Sequence, residues 1–105
     1  MVNFKRNHIL KYKPNAEESE SIALKALLFL AKNQDDCERF FALTGLGLDD
    51  VRARAAEPEF LGGVLDYILG DENLLIRFAD SEGIPPEVPA MARRSLLKGG
   101  DNAEY

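Results

Sequence analysis

Apolar positions along the chain recur at helical spacing, and polar residues fall where helices would begin and end. Asn15 followed three residues later by Glu18 is a capping-box pattern, in which each side chain accepts from the other residue's backbone N–H. Glu17, Glu18 and Glu20 add negative charge at the positive end of the helix dipole. From Ile22 to Ala31 only Lys25 is polar. That run predicts a first helix apolar on nearly every side, enclosed by other helices and ending at Asn33 and Gln34. Asp35, with Glu38 at the box position, predicts a second helix over 35–44. Gly45 stands where a left-handed terminator is expected. Leu46-Gly47-Leu48 reads as a tight connection, and Asp49 as the cap of a short third helix reaching about Glu57.

Pro58 suits the first turn of a fourth helix, where its missing N–H costs nothing. Phe60, Leu61, Val64, Leu65, Ile68 and Leu69 form its apolar stripe. Gly62 and Gly63 are poor helix residues, and a close crossing with the first helix is the expected reason for them, with a kink as the alternative. Gly70 ends the fourth helix, and Asp71 caps a fifth that runs to Gly83. Pro89 is tolerated only in a first turn, which starts the sixth helix near Pro86. Gly99-Gly100 is expected to stop it. No period-two alternation bounded by hairpin turns is present. The predicted fold is all-α, a compact bundle of about six short helices over 15–99, with an arm over 1–14 and a frayed tail over 100–105.

The segments also pair up. Leu27, Arg39, Phe40 and Gly45 have identical counterparts 38 positions later in Leu65, Arg77, Phe78 and Gly83. At a shift of 37, Val51, Ala53 and Ala55 match Val88, Ala90 and Ala92. A repeat of this period predicts two pseudo-symmetric three-helix halves, 22–56 and 60–98, with a groove along the seam of the first and fourth helices.

Charge divides the chain. Lys5, Arg6, Lys11 and Lys13 give the arm +4 with no acid, whereas residues 15–105 carry −9, for a net charge of −5 over 105 residues. A polyanion is repelled by most of such a body. No apolar stretch approaches the roughly 20 residues that span a membrane. One cysteine, Cys37, forms no intramolecular disulfide, and a free thiol suits a cytoplasmic protein.

Candidate chemistry is sparse. Phe41 to Glu57 has the layout of a helix-turn-helix, with Arg52 and Arg54 on the would-be recognition helix. However, Asp49 and Asp50 stand where base edges and phosphates would lie. The arm interleaves its bases with Phe4, Ile9, Leu10 and Tyr12, a pattern that can track RNA or single-stranded DNA or lie on an anionic membrane surface, the alternatives being a solvated tail or an arm folded back onto its own acidic body. Lys5, Arg6, Lys11, Lys13, Arg52 and Arg54 are therefore the candidate nucleic-acid contacts. Cys37 has no histidine nearer in sequence than His8, so no nucleophile–base pair assembles from the body. No metal set or phosphate loop is present, and neither a catalytic residue nor a cofactor is expected. Acid pairs at Asp35/Asp36, Asp49/Asp50 and Asp71/Glu72 read as helix caps. Arg39 and Arg77 read as carboxylate partners at helix ends, with an anion clamp as the alternative. Phe41, Leu43, Leu46 and Leu48 exceed what one small core face buries and form the expected partner patch. The expected function is a non-catalytic module binding a protein or a second copy of itself, with nucleic-acid binding as the alternative.

The segments ALKALLFLA from Ala23, RFFALTGLGLDDVRARAAEPEFLGGVLDYILGDENLLIRFA from Arg39 and GIPPEVPAMARRSL from Gly83 resemble a family of small alphaproteobacterial proteins known only as a domain of unknown function. The resemblance implies a compact cytoplasmic helical protein and no activity, cofactor or catalytic residue.

Overall fold

A computed structural model describes residues 13–101, with side chains described for 13–97. The described residues form six helices and no strand. These are α1 (Ala16–Lys32), α2 (Gln34–Thr44), α3 (Leu48–Arg54), α4 (Pro58–Leu69), α5 (Glu72–Glu82) and α6 (Val88–Asp101). No helix among them is long and apolar enough to cross a membrane.

Local signals set most of the boundaries. Asn15 Oδ1 accepts from the Glu18 N–H at 2.7 Å, and Glu18 Oε1 accepts from the Asn15 N–H at 3.0 Å, closing the capping box on α1. Asp71 Oδ1 accepts from the Leu74 N–H at 3.1 Å and opens α5. Gly45 and Gly83 end α2 and α5 with φ of 76° and 69°. Only glycine reaches that left-handed region without strain between Cβ and the backbone. Pro89 is the second residue of α6 and is fully buried. The cap of α2 differs from expectation: it is Asn33, whose side chain accepts from the Asp36 N–H at 2.9 Å. Asn33 outcompetes Asp35 because the chain leaves α1 there in an extended conformation, the backbone geometry a cap requires. Helix α6 runs on through Gly99 and Gly100, since glycine weakens a helix without forbidding it.

Three helices, α1, α4 and α6, pack against one another and hold the core; α2 leans on α1, and α5 on α4. Helix α4 supplies Phe60, Leu61, Val64, Leu65 and Ile68. Helix α6 adds Val88, Ala92 and Leu96, and Phe40 and Phe78 close the core from α2 and α5. Helix α1 is not enclosed. It buries one row, Ser19, Ala23, Ala26 and Leu30, while Leu24 and Leu28 stand 40% and 59% exposed. A bundle of six short helices has too few neighbours to surround a helix on all sides, so an all-round apolar helix leaves its outer face in water.

Candidate functional site

The corner between α2 and α3 is built by short-range bonds. The Thr44 hydroxyl donates to the Phe40 carbonyl at 2.7 Å and accepts from the Leu46 N–H at 3.2 Å. Asp50 Oδ2 accepts from the Gly47 N–H at 2.8 Å and starts α3 at Leu48, so that Gly47, and not the expected Asp49, is the cap. The helix ends at Arg54 rather than near Glu57, and none of its residues is fully buried. Of the expected partner patch, Phe41 and Leu46 are half-buried against the core, whereas Leu43 is 66% and Leu48 55% exposed. The corner therefore presents two large leucines to solvent on either side of its glycine link.

Its two arginines lie beside acids, Arg52 loosely and in solvent, Arg54 through a hydrogen bond. Arg52 lies 4.0 Å from Asp49, and Arg54 Nε donates to Glu57 Oε1 at 3.1 Å. The Arg54 guanidinium also sits 5.6 Å from the Phe60 ring centroid. Lys13 is exposed at the entry to α1, while Lys5, Arg6 and Lys11 lie outside the described residues, as does His8. Nothing among the described residues gathers the candidate nucleic-acid contacts into one basic face.

Beside the corner, a cleft of about 550 Å³ opens between α2 and the α4–α5 joint, with Arg39, Leu43, Tyr67 and Asp71 on its walls. Tyr67 packs edge-on against Phe40, ring centroids 5.0 Å apart. Burial pushes the Tyr67 phenol above its ordinary range, Arg39 beside it pulls the other way, and Asp36 and Asp71 add to the rise. The two arginines that lie 38 positions apart thus have different roles. Arg39 faces a tyrosine, whereas Arg77 forms a two-pronged ion pair with Asp36 at 3.0 and 3.1 Å. Cys37 is half-buried and unpaired. No group of three or more metal-binding side chains occurs among the described residues.

Sequence reasoning missed the exposed row Leu24–Leu28 on α1. The signal was available, since the run of apolar residues from Ile22 is wider than the one stripe a helix on a small core can bury. The expected reason for Gly62 and Gly63 is also overturned. A Cβ at either position would meet nothing within 4 Å. The two glycines face outward onto a groove between α4 and α6 and not onto the seam with α1.

No curated protein and no solved structure matches the chain. A family model does match, over residues 16–100, and its description is "Protein of unknown function (DUF3572)". With all but residues 1–15 and 101–105 inside that match, the chain belongs to this family of unknown function.

Proposed function

We propose that the protein is a non-catalytic, cytoplasmic helical module that binds another protein through the α2–α3 corner. The observation that carries this reading is the exposure of Leu43 and Leu48, at 66% and 55%, beside Phe41 and Leu46, which are only half-buried. Large apolar side chains held in water on rigid helix ends gain hydrophobic free energy when a partner covers them. Binding of nucleic acid through the same corner has less support, because Arg52 and Arg54 already pair with acids and Asp49 and Asp50 repel phosphate.

A photo-crosslinking residue placed at Leu43 or Leu48 in cells that make the protein tests this. The same probe at exposed Lys32 on α1 serves as control. The expected result is a discrete protein adduct from the corner that position 32 does not give. Adducts that are the same from all three positions, or absent from the corner, overturn the reading. Light scattering on the purified chain identifies the case in which the partner is a second copy.

A further inference from the structure

Helix α1 carries on its outer side a row of residues four positions apart, Glu20, Leu24, Leu28 and Lys32. Leu24 and Leu28 are 40% and 59% exposed, Lys32 is exposed and Glu20 is half-buried. Neither Glu20 nor Lys32 has a hydrogen bond or ion pair among the described residues. They do not reach each other either, since the helix between them is about 18 Å long. The row is centred on position 26, with opposite charges at its two ends. A second α1 running the opposite way sets Leu24 against Leu28 and Glu20 against Lys32, and does so twice.

We propose that this row is a contact between two copies of the chain, a weak antiparallel dimer across α1. A two-fold contact must be complementary to itself, and the order acid, leucine, leucine, base meets that condition. No other large apolar side chain exposed among the described residues does. Ile76 on α5 stands between Glu72 and Asp80, so a reversed copy would set acid against acid. Leu97 on α6 follows Arg93, whose charge is already taken by Asp66. Leu43 and Leu48 lie on two helices either side of a turn, and no single helical row joins them. Rows of this spacing are inclined to the helix axis, so two copies lie along each other when the helices cross at about −50°. Lys25 falls in the adjacent row, where its long stem leaves the ammonium in water. One helix crossing is a small interface, so association is expected at roughly 100 µM and not at nanomolar concentration. The contact is separate from the α2–α3 corner and does not depend on it.

Sedimentation equilibrium of the full-length chain in low salt, from about 10 µM to about 1 mM, tests the proposal. The expected result is a reversible monomer–dimer equilibrium. Leu24→Ser/Leu28→Ser should abolish it while the helical spectrum is kept. Glu20→Lys and Lys32→Glu should each weaken it about tenfold, because each sets like charges together at both ends of the row. Glu20→Lys/Lys32→Glu should restore it to within about threefold of the native chain, and so should mixing the two single variants, since every pair is then opposite again. Leu43→Ser/Leu48→Ser should leave it unchanged. A native chain that stays monomeric at about 1 mM overturns the proposal. So does a combined reversal that associates as weakly as the single ones. Association lost in the corner variant and kept in the α1 leucine variant also overturns it, and would move the contact between copies to the corner.

Discussion

Arg77 on α5 holds Asp36 on α2 with both terminal nitrogens, at 3.0 and 3.1 Å, across 41 positions of sequence. The Asp36 carboxylate is only 13% exposed, and the guanidinium lies 5.8 Å from the centre of the Phe29 ring on α1. One side chain therefore ties three helices together. Two-pronged geometry and a largely covered carboxylate place this pair above an ordinary surface ion pair. Arg77→Met and Asp36→Asn should each lower stability by about 1–2 kcal/mol, and a double-mutant cycle should return a coupling of about 1 kcal/mol. Chemical denaturation of the four proteins measures it. Strict additivity would mean that the pair adds nothing.

Ser19 is fully buried in the inner row of α1, and its hydroxyl has no hydrogen-bond partner among the described residues. Burying an unpaired hydroxyl is unfavourable, and alanine is also the better helix former. Ser19→Ala should therefore stabilise the fold by about 1 kcal/mol. A loss of stability in thermal melts would show that the hydroxyl makes a bond on which the core depends.

The raised pKa of Tyr67 makes a statement about alkaline stability. Burial favours the neutral phenol in the folded chain, so unfolded chains lose this proton at lower pH than folded ones. The stabilising contribution is complete below the ordinary value of 10.0 and is lost as pH rises through the folded value. Stability should decline above about pH 10, and Tyr67→Phe should flatten that decline. Denaturation midpoints at pH 8 to 11 would show it, and an unchanged slope in the variant would refute it.

What the sequence made legible was local. The Asn15–Glu18 box, the Asp71 cap and the left-handed glycines each depend on residues within one turn, and each was readable from spacing alone. The Asp36–Arg77 pair was not readable, because nothing in spacing joins positions on two helices that do not follow one another. The apparent repeat marks the same limit. Phe40 and Phe78 are both buried, and Gly45 and Gly83 share a conformation. The third helices nevertheless part company. Helix α3 buries no residue fully, while α6 packs against both α1 and α4. Val51 stays half-buried where Val88 is covered, because only α6 is long enough to lie along two neighbours. The partner patch was legible in composition but not in detail. Which of four apolar residues face water is decided by how the corner turns, and it turns Phe41 and Leu46 inward.

The four glycines at helix ends and middles should respond to alanine with opposite signs. At Gly45 and Gly83 the backbone has φ of 76° and 69°, so a Cβ is strained against its own chain even though open space surrounds it. Replacement there should destabilise by about 1 kcal/mol each. At Gly62 and Gly63 the backbone is ordinary helix and an added Cβ touches nothing, so alanine only restricts the unfolded chain. Replacement there should stabilise by about 0.5–1 kcal/mol each. Because neither pair alters a packed contact, the difference in sign isolates backbone conformation from packing. Differential scanning calorimetry of the single variants decides it. If Gly62→Ala or Gly63→Ala lowers the melting temperature, the added Cβ meets a neighbour in the folded chain and the expectation of open space is wrong.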